Sequence, residues 1–268
     1  MLQYFKNLFY TTYFTTELET SKHLLNTRNK IDKKIIIVCI TVSFSVIMVR
    51  YFGDTKFLLL FLKGLGAEGI FLKLNYLFFH SNDNSLYRLV WWIFTIMVFY
   101  FIVPILIIKC LWRENLTDYG MKLKGAFKEY RLYIYMMLIM IPLVLYFSTT
   151  QSFLERYPFY RPKHNEPLFP KFIEWEILYF IQFFAVEFFF RGFMVHGTKK
   201  RFGYYSVFIM IIPYCMVHFG KPFPEILSAI AAGIILGTLS LKSRSIMLGV
   251  ALHYSVAFTM DMLSLWHL

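Results

Sequence analysis

Residues 172–195 read FIEWEILYFIQFFAVEFFFRGFMV. The run is long enough to cross a hydrocarbon core, which takes about 20 mostly apolar residues in a helix. It is among the most apolar stretches of the chain, yet it carries Glu187 and Arg191. Four residues apart on a helix, the two lie on one face, one turn from each other. A charge at the centre of a membrane helix costs at least about 2.5–3.5 kcal/mol, so such a pair must be partnered and must face protein or water. Pinning neighbouring helices would satisfy that demand, and so would a functional site.

The rest of the chain has the same character. Of 268 residues, 58% are hydrophobic, 21% aromatic and only 16% charged, against roughly a quarter charged in soluble domains. Mean hydropathy is +0.54. Seven segments are candidates to span: about 35–52, 89–112, 132–149, 172–195, 204–219, 226–241 and 246–266. Residues 57–79 mix Lys63, Glu68 and Lys73 with apolar residues and three glycines. They read as an interfacial or re-entrant helix pair, or an eighth span. The expected fold is an all-α polytopic membrane protein, a bundle of about seven to eight transmembrane helices. A barrel is excluded, because its strands would alternate polar and apolar residues.

The chain divides into a polar and aromatic N-terminal segment (1–34) without the apolar core of a signal peptide, N-terminal helices and loops (35–170), and a C-terminal core (171–268). Prolines 158, 162, 167 and 170 punctuate the charged loop at the last border. The net charge of +12 gathers in loops flanking apolar segments, the footprint of membrane topology and not of a nucleic-acid face. With the N-terminus inside, 17 of the 28 Lys and Arg fall on the inner side and 10 on the outer. Cys39, Cys110 and Cys215 lie in or beside apolar runs, without metal spacing, and read as buried small hydrophobes.

Two histidines join the Glu–Arg pair. His218 ends the fifth segment in PYCMVHFG, and His253 lies in the seventh in GVALHYSVA. Glu, His and His gathered inside a bundle can activate a water, with a carboxylate as base and imidazoles as donors or metal ligands. Glu225, seven residues after His218, is a second candidate base. Pro224 and Glu225 also suit the first turn of a helix, where an anion meets the helix dipole. Glu187 falls near the middle of its span and His218 near the end of its own, about 10 Å apart in depth. Ala229, Gly233 and Gly237 form a small-residue stripe for close helix packing.

The order Glu-x-x-x-Arg-Gly, aromatic-x-x-x-His, glycine-rich helix, His-x-x-x-small resembles the CPBP (Abi) family over about residues 172–262. These are intramembrane endopeptidases related to CAAX prenyl endopeptidases and bacteriocin-processing proteins. The resemblance implies that Glu187, Arg191, His218 and His253 are catalytic, with Tyr214 as the motif aromatic; Glu225 is a further catalytic candidate from its place after His218. It also implies a membrane-associated peptide or protein substrate, and a bacterial inner membrane location with membrane lipids as partners. A divalent metal such as zinc is an open cofactor question, with His218 and His253 as candidate ligands. The chain departs from the family at Val186, where a first glutamate is usual, and at Ala257, where Asn or Asp is usual. Asp261 either substitutes for the latter or caps its span. An inactive membrane scaffold and a proton-coupled transporter are the alternative readings.

Overall fold

The structure is a computed structural model that describes residues 1–27, 31–162 and 167–267. Residues 28–30 of the N-terminal segment and 163–166 of the charged loop lie outside the described residues. Among the described residues there is no strand; all regular structure is helical.

Helix α1 (Leu2–Thr27) is followed by α2 (Lys33–Phe52), which starts where Asp32 accepts hydrogen bonds from the Lys34 and Ile35 amides. Two short helices, α3 (Thr55–Gly64) and α4 (Glu68–Asn75), pack together around a turn at Gly66. Each is far below spanning length, in keeping with an interfacial or re-entrant pair. The long helix α5 (Asn84–Leu111) and α6 (Tyr130–Phe147) come next. A short helix, α7 (Gln151–Arg156), leads through the proline-rich loop to α8 (171–202). The chain closes with α9 (Ser206–Met216), α10 (Phe223–Ser243) and α11 (Met247–Trp266).

Among the described residues, six helical stretches are long and apolar enough to cross a membrane. The fourth, Lys171–Met216, runs for 46 residues, well over twice what one crossing needs. It doubles back at Gly203, where a φ of +55° opens the left-handed region to a residue without Cβ. Helix α9 then packs along Phe188–Val195. The stretch is therefore a hairpin, and the seven expected segments each coincide with a helix to within a few residues.

Helix α8 is the hub. Its most apolar window is 67% buried inside the protein, against 17% for α6. Phe188, Phe189, Phe190 and Phe193 are fully enclosed; Phe189 stacks on Tyr100 and Phe193 on Trp112. Between membrane helices there is no hydrophobic drive to associate, so close packing must supply the cohesion. The small-residue stripe serves that end. A Cβ added at Gly237 would come within 2.7 Å of Val207, and one at Gly233 within 2.9 Å of Ile211. Helices α9 and α10 thus touch almost backbone to backbone.

The cysteines depart from expectation. Cys39 and Cys110 are exposed and Cys215 half-buried. On apolar membrane helices the outward face meets lipid, where a thiol is at ease without protein cover.

The segments assigned to one side by charge counting meet at one end of the bundle. There Arg244 pairs with Glu19, Lys242 with Glu129, and Lys34 with Glu114. At the opposite end Lys171 pairs with Asp83, and Tyr157 donates to Glu225. Helices before residue 170 pack directly on those after it: α5 on α8, and α6 on α11.

Candidate active site

Glu187 stands at the centre of α8, where α-helical bonding passes into a π-helical segment, Phe188–Val195. Such wider turns recur at functional sites. Its Oε1 accepts from His253 Nδ1 at 2.9 Å and lies 3.0 Å from Arg191 Nη1. Both side chains of the Glu187–Arg191 pair are sealed from solvent. The Arg191 guanidinium also lies over the Tyr214 ring, 3.9 Å from its centroid, so the cation is held by a carboxylate below and an aromatic face above. Glu187 Oε2 is buried without a hydrogen-bond partner, beside Gly249, whose missing Cβ would sit 2.9 Å away.

An ionised carboxylate only accepts, so His253 donates through Nδ1 and its Nε2 carries the lone pair. His253 contributes to the wall of a cavity of about 160 Å³. His218 shares that wall. Its Nδ1 donates to the Tyr214 carbonyl at 2.8 Å, which again leaves Nε2 as the acceptor. With Nδ1 spent on that carbonyl, the buried His218 ring offers Nε2 to the cavity as an acceptor.

The expected depth mismatch between Glu187 and His218 has a structural answer. Helix α9 has 11 residues and rises only about 16 Å, roughly half the hydrocarbon thickness. The turn carrying His218 therefore lies deep in the bundle, where irregular backbone is tolerated beside a cavity. His253 bridges the rest, touching Glu187 and sharing the cavity with His218.

Glu225 occupies the first turn of α10, after Pro222 and Pro224, and it also lines the cavity. Lys221 Nζ reaches its Oε1 at 2.6 Å, and the Tyr157 hydroxyl donates to its Oε2 at 2.6 Å. Burial and the adjacent carboxylate hold the Tyr157 phenol well above its usual range, so it remains a donor. Tyr157 and Lys221 were missed in the sequence. Lys221 sits at the i,i+4 spacing from Glu225 and was open to recognition; Tyr157 lies in a loop distant in sequence and gave no signal.

Glu187 and Arg191 are not among the cavity-lining residues, whereas His218, His253 and Glu225 are. Ala257 lines the cavity as well, while Val186 packs into the apolar core. Asp261 neither lines the cavity nor caps an exposed helix end. It is fully buried and accepts from the Trp175 indole at 2.9 Å; α11 continues past it to Trp266. Glu176 shares this buried region and accepts from the Tyr254 hydroxyl at 3.1 Å.

A catalytic zinc ordinarily keeps three protein ligands. Among the described residues no three His, Cys, Asp or Glu side chains gather as a metal site. Both oxygens of Glu225 are engaged by Lys221 and Tyr157, which leaves two imidazoles. This donor set does not fit a resident metal.

Residues 168–259 match the family model described as type II CAAX prenyl endopeptidase Rce1-like. The site segment resembles that family. The expected resemblance to the CPBP and CAAX proteases is thereby borne out over those residues, which include Glu187, Arg191, Tyr214, His218, Glu225 and His253 and stop short of Asp261. No curated protein and no solved structure matches the chain. The Rce1-like match over residues 168–259 and the apolar helices together support an integral membrane protein.

Proposed function

We propose that this protein is an intramembrane endopeptidase that cleaves a membrane-associated peptide or protein with a histidine-activated water. The observation that carries the reading is the 2.9 Å contact between Glu187 and His253 Nδ1, with His253 on the wall of the cavity it shares with His218 and Glu225. His253 Nε2 takes the proton of a cavity water, and Glu187 stabilises the imidazolium that forms, the division of labour of a carboxylate–histidine pair. The Nε2 acceptor of His218 orients the same water. Lys221, whose ammonium keeps N–H groups beyond the one given to Glu225, is the donor on the cavity wall for the oxyanion of the tetrahedral intermediate. His253 then returns its proton to the leaving amine. Arg191 is a positioning residue: it fixes Glu187 and is itself fixed by Tyr214.

The cavity wall opposite these groups is apolar, formed by Met136, Met140, Leu143 and Phe147 of α6 with Leu252 of α11. It suits an apolar side chain or segment of the substrate. The reading extends to a bacterial inner membrane, with the N-terminus inside as the Lys and Arg distribution favours. The purified protein, reconstituted with a library of quenched fluorescent membrane peptides, should cleave at least one member. His253→Ala should abolish that cleavage with the protein still folded and inserted. Cleavage at the parent rate by His253→Ala would refute the assignment.

A second reading rests on Val186 and Ala257. If the parent is inert on all substrates and Val186→Glu with Ala257→Asn brings cleavage, the chain is an inactive binding relative.

A further inference from the structure

A second cavity, of about 270 Å³, lies where α1 crosses the ends of α8 and α10; it shares no lining residue with the first. Three cations line it, Lys199, Lys242 and Arg244, against one acid, Glu19. Thr12 and Thr16 add neutral wall; their hydroxyls are spent on the carbonyls of Leu8 and Thr12, each at 2.7 Å. Two of the cations have acid partners: Lys242 lies 3.0 Å from Glu129 and Arg244 lies 2.8 Å from Glu19. Lys199 makes no ion pair within 4.0 Å among the described residues, and its ammonium donates to His196 Nδ1 at 3.1 Å. Beside the cavity, Tyr10, Phe14 and Leu18 project outward from α1, each more than half exposed. An aromatic and aliphatic stripe next to a basic pocket is the pattern of a helix lying at headgroup level.

The geometry points to a binding site for a phosphate-bearing anion, the headgroup of an anionic phospholipid or free phosphate. The cavity has the volume of several waters and a surplus of positive charge, which an anionic oxygen cluster neutralises. The site also reaches the first one. Since the Lys199 ammonium donates to Nδ1, His196 is protonated on Nε2 and donates to Ser240 Oγ at 3.0 Å. Ser240 in turn donates to the Arg191 carbonyl at 3.2 Å. An anion that draws on Lys199 therefore acts on the turn that holds Arg191.

The test does not depend on proteolysis, so it stands or falls apart from the reading above. The full chain is reconstituted in nanodiscs of phosphatidylcholine with or without phosphatidylglycerol, and the lipids retained on extraction are counted by native mass spectrometry. The parent should retain phosphatidylglycerol selectively. Arg244→Gln and Lys199→Gln should each weaken retention about fivefold, the worth of one cation near a membrane surface. Glu19→Gln, which removes the acid from the wall, should strengthen it, a gain that misfolding cannot produce. In detergent without lipid, a thermal shift with inorganic phosphate, lost in Arg244→Gln, would assign the site to free phosphate; selective lipid retention without that shift assigns it to the headgroup. Equal retention of both lipids, with no response to phosphate and none to Glu19→Gln, overturns the proposal.

Discussion

Replacing Glu187 with glutamine removes one charge from a carboxyl that serves two partners. Arg191 would be left as a buried cation over Tyr214 alone, and breaking a buried pair costs about 3–5 kcal/mol. Glu187→Gln and Arg191→Ala should both lower the unfolding midpoint in detergent by that order. The double variant Glu187→Gln/Arg191→Met, which removes the pair together, should recover much of the stability and none of the cleavage. Recovery of cleavage would mean that Glu187 has no part in the chemistry. Tyr157→Phe removes one donor to Glu225 and should cost about 0.5–1.5 kcal/mol of stability. An unchanged unfolding midpoint would count against that hydrogen bond. At this scale the sequence spoke clearly wherever polarity contradicted its surroundings. Glu187, Arg191 and the two histidines stand out of apolar text, and the structure brings them together. Tyr157 could not be picked out: it is one of 19 tyrosines, and its partner is 68 residues away. The order of the groups was also hidden. Only the contact at His253 puts Glu187 behind an imidazole and not on the cavity wall.

At the scale of the helix, α9 and α10 hold the His218 turn in place through Gly233 and Gly237. Gly237→Val would drive a side chain into Val207, and overpacking of this kind costs about 1–3 kcal/mol. The variant should unfold at a lower temperature and cleave more slowly, because the turn after α9 shifts with its helix. A parent-like midpoint would show that the two helices do not need their close approach. Spans were legible because apolar runs of this length have few other uses. Helix α1 was not. Its inward face is a threonine stripe, Thr12, Thr16 and Thr20, and its outward face carries Tyr10, Phe14 and Leu18. That is the reverse of a soluble amphipathic helix, and it makes sense only beside lipid. The shortness of α9 was equally hidden, since its apolar text continues to His218 while the helix stops at Met216.

For the whole molecule, the chain turns at Gly203 and again after the short α9, so α9 and α10 leave and return on one side and the two termini should lie on opposite sides of the membrane. Paired fusions of an enzyme active only in the cytoplasm and one active only outside it, placed at each terminus in turn, would check this. The N-terminal fusion should report inside. Reports from the same side for both ends would remove one crossing and the inner assignment of the loops that meet α1. The pair on α8 has a consequence for how such a chain is made. Both charges ride on one helix, within one turn, so they can neutralise each other before any neighbour arrives, and the segment enters the bilayer as a dipole instead of two ions. Its third partner comes late. His253 belongs to α11, 66 residues further along the chain, and until the ribosome has passed it the carboxylate has no imidazole to orient. A chain interrupted during synthesis therefore leaves in the membrane a stable hub without an assembled site.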